Sequence, residues 1–209
     1  MKKETERNME RENLRQWKEK ITTTGLIAIN IFLFVICLFS GELLYSEGAF
    51  SLRYLLQGRE WWRLVTSMFL HADVDHLVGN MLMLYLAGEL VERYVGKRKF
   101  VILYFFSGAA GSLFYALYEY LAGDYADSIG ASGAVFGVVG ALFIIVACHR
   151  GRYGGITMGR MIFMLLYMIY MGFQTSNVNN AAHIGGLFGG ILLTGIYVLA
   201  ERKKERGYE

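Results

Sequence analysis

Six mostly apolar stretches recur along the chain at close to membrane length: 22–39, 77–91, 100–121, 132–148, 156–173 and 184–200. The hydrocarbon core of a bilayer is about 30 Å thick, and a helix needs roughly 20 such residues to cross it. Lipid offers nothing to an open backbone N–H or C=O, so a crossing segment must satisfy its own hydrogen bonds. Runs of this length therefore predict helices. With 55% hydrophobic residues, 25 glycines and no proline, the chain is a poor candidate for a soluble domain. The expectation is an all-α polytopic membrane protein with six transmembrane helices.

The basic residues orient those spans, because Lys and Arg accumulate in cytoplasmic loops. Seven precede the first span and four follow the sixth; Arg93, Lys97, Arg98 and Lys99 lie between spans two and three, and Arg150, Arg152 and Arg160 at the four–five connection. Loops of the opposite phase hold only Arg53, Arg59 and Arg63. Both termini are thus expected in the cytoplasm of a multi-pass cell-membrane protein. Residues 1–20 read as a cytoplasmic tail, 21–200 as one six-helix domain and 201–209 as a second short tail. The charged first stretch has no small-x-small site after the apolar run, so it is not read as a cleavable signal peptide. Leu14, Trp17 and Ile21 share a helical face that suits either the inner interface or a solvated tail. The short tails predict no separate soluble regulatory domain.

Cys37 falls near the outer end of span one and Cys148 near the inner end of span four, too far apart for a disulfide. The four histidines lack metal-ligand spacing, so no metal site is expected. There is no phosphate-binding loop, and the basic residues follow topology rather than forming a patch, which argues against nucleotide, nucleic-acid or other cofactor binding.

Polar residues within apolar helices are costly and mark function or a structural pairing. Spans two, four and six all run from outside to inside, so their first residues share one depth near the outer face. His76 and Asn80 open span two, Gly130-Ala131-Ser132-Gly133 opens span four, and Asn180-Ala181-Ala182-His183 leads into span six. Singly, a serine in an apolar helix is usually a packing residue, and a His and Asn at i and i+4 can simply glue two helices. Together they offer a hydroxyl nucleophile in Ser132 and a base in His183. His76, Asn80 and the Ser132 amide can serve as donors for a developing oxyanion. No Asp or Glu lies in the outer halves of spans four and six, so a Ser-His dyad is expected. Gly186 and Gly190 follow His183 on its own face, and Gly133 and Gly137 accompany Ser132; such pairs let helices approach closely.

These residues resemble a known family. Gly-Ala-Ser-Gly at 130–133, His76-x-x-x-Asn80 and Ala182-His183-x-x-Gly186-x-x-x-Gly190 look like the motifs of rhomboid proteases, and Trp62-Arg63 resembles that family's Trp-Arg motif. The resemblance implies a rhomboid-type bundle around an outward-open, water-filled cavity, with span four short and beginning below the surface. It implies that Ser132 attacks a peptide carbonyl, that His183 is base and then acid, and that His76, Asn80 and the Ser132 amide hold the oxyanion. Phe136, four after the serine, is expected to stack on His183. Asn180 is expected to bind the cap loop or substrate backbone, and Glu92 to be a buried structural carboxylate.

The implied partners are transmembrane protein substrates in the lipid bilayer, with no obligate protein partner evident. A substrate helix hides its carbonyls in its own hydrogen bonds and must unwind to be cut. Lateral entry is expected beside span five, where Met164, Met168 and Met171 with Tyr167, Tyr170 and Phe173 make an adaptable face. The segment 40–75 is expected to lie partly in the outer leaflet, with Arg63 tying it to backbone carbonyls. The alternatives are a catalytically silent relative that binds transmembrane helices, and a small-solute channel or transporter using His76 and His183 as a proton relay.

Overall fold

In the computed structural model the described residues are 21–174 and 178–206, with side chains through 203. The expected placement of the 1–20 tail and the end of the 201–209 tail lie outside them. The chain forms an all-α bundle: α1 (Ile21–Ser40), α2 (Leu43–Gly48), α3 (Leu52–Gly58), α4 (Arg63–Thr66), a 3-10 turn (Ser67–Phe69), α5 (Val74–Val95), α6 (Lys97–Ala122), α7 (Ser132–Cys148), a small hairpin of β1 (Arg152–Tyr153) and β2 (Ile156–Thr157), α8 (Met158–Gln174) and α9 (Asn180–Arg206). Among the described residues, α1, α6 and α9 are long and apolar enough to cross a membrane, and α7 is apolar but shorter.

α7 is the centre of the bundle. Residues Gly133 to Leu142 are buried without a break, as an all-round apolar helix requires. It packs against α5, α6 and α9. Glycine sets the distance to α9: a Cβ on Gly186 would collide with the Gly133 backbone, and one on Gly190 with that of Gly137. The two helices therefore touch backbone to backbone. At 17 residues, α7 is about 26 Å long by its rise of 1.5 Å per residue.

Two buried groups staple the periphery. Glu92, near the end of α5, accepts from the N–H of Thr22 (2.9 Å), the N–H of Thr23 (2.7 Å) and Thr23 Oγ1 (2.7 Å). Those amides are the partnerless donors of the first turn of α1, so one carboxylate caps α1 from a helix some 70 positions away. Arg63 is buried in the external segment and donates through Nη1 to the carbonyls of Ser46 (2.8 Å) and Ala49 (2.9 Å). It also pairs with Glu60, and its guanidinium lies 3.9 Å over the Tyr54 ring.

Three features differ from the sequence reading. The start of the fifth apolar run is a hairpin, because Gly151, Gly154 and Gly155 all hold positive φ and turn the chain before α8 begins. α9 starts a turn earlier than residue 184 and continues through Arg206. The expected face of span five is divided: Met164 and Met168 pack on the core, whereas Tyr167, Tyr170, Met171 and Phe173 are exposed. At about 100° per residue, 170 and 173 fall on the side of the helix away from 164 and 168, while 167 and 171 flank the packed pair.

Candidate active site

Ser132 is the first residue of α7. That helix opens on Ala131 without a capping side chain, so its first-turn N–H groups, Ser132's included, have no partner within the helix and sit at its positive end. Gly130 just before has φ +122°, a conformation that favours glycine. Space demands glycine too: a Cβ there would lie 2.7 Å from Cε1 and Nε2 of His76 and 3.7 Å from Ser132 Oγ. Gly130 thus lets the His76 imidazole of α5 come up against the turn that carries Ser132.

His183 lies in the first turn of α9. Its ring stacks on Phe136 with centroids 4.2 Å apart and planes at 12°. Phe136 follows Ser132 by four residues and shares its face of α7, so the imidazole lies over the face from which Ser132 projects. Nδ1 of His183 is buried and has no hydrogen-bond partner among the described residues. His76 is near enough for the two imidazoles to interact electrostatically.

Asn80, one turn below His76 on α5, is buried, and its Nδ2 has no partner among the described residues. A closed-off amide donor with nothing to donate to costs about 1–3 kcal/mol. The arrangement thus gathers hydrogen-bond donors on Asn80 and at the start of α7, the Ser132 hydroxyl, and two imidazoles, with no carboxylate bonded to His183 Nδ1 among the described residues.

The loop into Ser132 is pinned along its length. Phe50 and Ser128 exchange N–H···O bonds of 2.9 and 2.7 Å, and the Gly130 N–H donates to the Ser67 carbonyl at 2.9 Å. Asn179 Nδ2 donates to Ser128 Oγ at 2.7 Å while its Oδ1 accepts the Ala182 N–H at 2.9 Å, capping α9. The sequence reading singled out Asn180 instead. Asn180 Nδ2 donates to the Gly172 carbonyl at the end of α8, at 3.0 Å, rather than to the loop beside Ser132. Trp62 is half exposed.

Two recesses adjoin these groups. One, of about 300 Å³ with its open mouth included, is lined by Ser67, Ser112, Ser128, Gly130 and Ser132. The other, of about 280 Å³ on the same measure, lies between α7, α8 and α9 and is lined by Phe136, Ile169, Phe173, Asn180, His183 and Leu187.

His71 also belongs to this neighbourhood. It is fully buried before α5, both ring nitrogens lack partners among the described residues, and it meets His76 edge-on at 5.1 Å. Burial, then the neighbouring His76, pushes its pKa down from 6.5 to about 4. Its position five residues before His76 was the available signal in the sequence.

The family model described as Rhomboid domain matches residues 58–200. Rhomboid protease GluP of Bacillus subtilis is 34% identical over 195 residues, covering 91% of this chain and 37% of that protein. Putative rhomboid protease YdcA of the same organism is 39% identical over 150 residues, 71% of this chain and 72% of the relative. Rhomboid protease AarA of Providencia stuartii is 33% identical over 165 residues, 69% of this chain and 58% of the relative. The chain thus spans little more than a third of the first of these and over half of the last.

Proposed function

This chain belongs to the rhomboid family, and on that premise we propose that it is an intramembrane serine endopeptidase that cuts peptide bonds within or beside transmembrane segments. The observation that carries the reading is the His183 ring stacked on Phe136 one turn from Ser132. In this reading His183 is the base, lying over the helix face that carries the Ser132 hydroxyl.

Ser132 Oγ attacks the scissile carbonyl as His183 takes its proton. The oxyanion of the tetrahedral intermediate accepts from Asn80 Nδ2, His76 and the Ser132 N–H. His183 then gives its proton to the leaving amine, and the same groups guide a water through hydrolysis of the acyl-enzyme. The partnerless Nδ1 of His183 fits a dyad without an acidic third member.

Six spans with both termini cytoplasmic follow from the charge pattern. At about 26 Å, α7 falls short of a bilayer core of roughly 30 Å, so with its inner end at the boundary Ser132 lies below the outer one. Water then reaches it through an outward-facing cavity. The substrate enters beside α8, which buries only Met161 and Gly172. The test is a membrane-anchored reporter whose helix is weakened by Gly: Ser132→Ala and His183→Ala each abolish its cleavage, and Ser132→Ala abolishes labelling by a fluorophosphonate. Cleavage that persists in Ser132→Ala overturns the proposal. Reporter binding without cleavage by the unaltered protein favours a silent transmembrane-helix binder.

A further inference from the structure

Glu119, near the outer end of α6, is fully buried and has no part in the chemistry above. A carboxylate shut inside a membrane protein needs partners, and this one has three. Its Oε1 accepts from Ser51 Oγ at 2.9 Å and from the Ala126 N–H at 3.0 Å, and its Oε2 accepts from the Leu52 N–H at 2.6 Å. Ser51 and Leu52 open α3 in the external segment. Ala126 lies in the loop that runs from α6 to Ser132. A single side chain therefore grips two backbone segments that are separated by more than seventy positions.

What those segments do next gives the grip its meaning. Immediately before Ser51, Phe50 pairs with Ser128 through both backbone bonds, and two residues further the Gly130 N–H docks on Ser67. Tyr115, one turn before Glu119, donates to the Ala126 carbonyl at 2.9 Å, so Ala126 is held through both its N–H and its C=O. The lone Phe50–Ser128 bridge is too short to specify its own register, and a slip of one residue would reverse every side chain beyond it. Fixing residues 51, 52 and 126 on one carboxylate removes that freedom.

We infer that Glu119 is a positioning residue for Ser132: it sets the register of the external segment against the 124–131 loop, and through it the orientation of the Gly130–Ser132 turn. The inference rests on the protease reading above. Glu92 provides the matched comparison, because it is equally buried and also accepts three hydrogen bonds, but it staples α1 to α5 away from Ser132.

The experiment uses the full chain in proteoliposomes and compares Glu119→Gln, Ser51→Ala and Glu92→Gln. Three quantities are read: Tm, the kcat and KM for a transmembrane reporter, and the rate at which a small fluorophosphonate labels Ser132. Gln in place of Glu119 keeps one acceptor but turns an amide donor toward donors. It is expected to lower kcat and the labelling rate together by about 10-fold, the scale of a small misplacement of a reacting group, with KM unchanged. Ser51→Ala, a milder change that leaves the carboxylate, moves both rates the same way. Glu92→Gln lowers Tm and leaves kcat and labelling as they were. Labelling at the unaltered rate in folded Glu119→Gln and in Ser51→Ala overturns the inference, as does a rate loss in Glu92→Gln that matches theirs at equal loss of Tm. An unaltered protein that neither cleaves nor labels overturns the protease reading itself, a result distinct from both.

Discussion

The buried, open donor of Asn80 is the residue-scale feature with the clearest functional consequence. Its Nδ2 is buried without a partner among the described residues, and in the proposed mechanism the oxyanion is that partner. Replacing Asn80 by Ala is expected to lower kcat about 100-fold with little change in KM, since one oxyanion donor acts mainly in the transition state. A KM-dominated loss would argue for ground-state binding instead. His71 makes a different prediction. Its pKa is near 4 in the fold against about 6.5 in the unfolded chain, so below pH 6.5 the unfolded state takes up a proton that the fold refuses. The stabilisation is present in full above 6.5 and is lost as pH falls toward 4. Tm measured across that window should drop with falling pH in the unaltered protein and drop less in His71→Gln; equal slopes would remove His71 as the cause. The spacing of His76, Asn80, Ser132 and His183 marked those residues in the sequence. Asn179 and Glu119 were not legible in the sequence, because each matters only through a partner that folding brings to it, and His71 was marked only by its nearness to His76.

Between elements, the central fact is that α7 and α9 meet through glycines. Gly186 faces the Gly133 backbone and Gly190 that of Gly137, so at these two points the helix that carries Ser132 and the helix that carries His183 meet without a side chain between them. Gly186→Ala is expected to force the pair apart, destabilising the fold by roughly 1–3 kcal/mol and lowering kcat in the same variant. Gly195, with open space around its Cα, is the control: alanine there should leave both untouched. A Gly186→Ala protein as stable and as active as the parent would show that the contact is looser than drawn. The small-xxx-small spacing was visible in the sequence. Which glycine meets which was not, since that depends on the crossing point of two helices rather than on either helix alone.

At the scale of the whole molecule, the prediction concerns orientation. With Cys37 and Cys148 replaced by serine, a cysteine at Asp124 should react with a membrane-impermeant maleimide in intact cells, and one at Arg152 only after permeabilisation. The reverse pattern would turn the protein over in the membrane. Hydropathy determined what is collective about this protein, an all-α bundle of apolar helices, and the Lys/Arg distribution carries the proposed sense in which they run, because the bilayer reads composition along a segment. Run lengths and charge together gave the expectation that His76, Asn80, Ser132 and His183 share one depth. Tertiary structure decided the rest: a hairpin where an apolar run begins, the inward and outward sides of α8, the glycine that meets each backbone between α7 and α9, and the Glu119 carboxylate that joins two loops. Those depend on contacts between residues tens of positions apart, and the energy of such a contact is set by where packed helices bring the atoms, which no local pattern encodes.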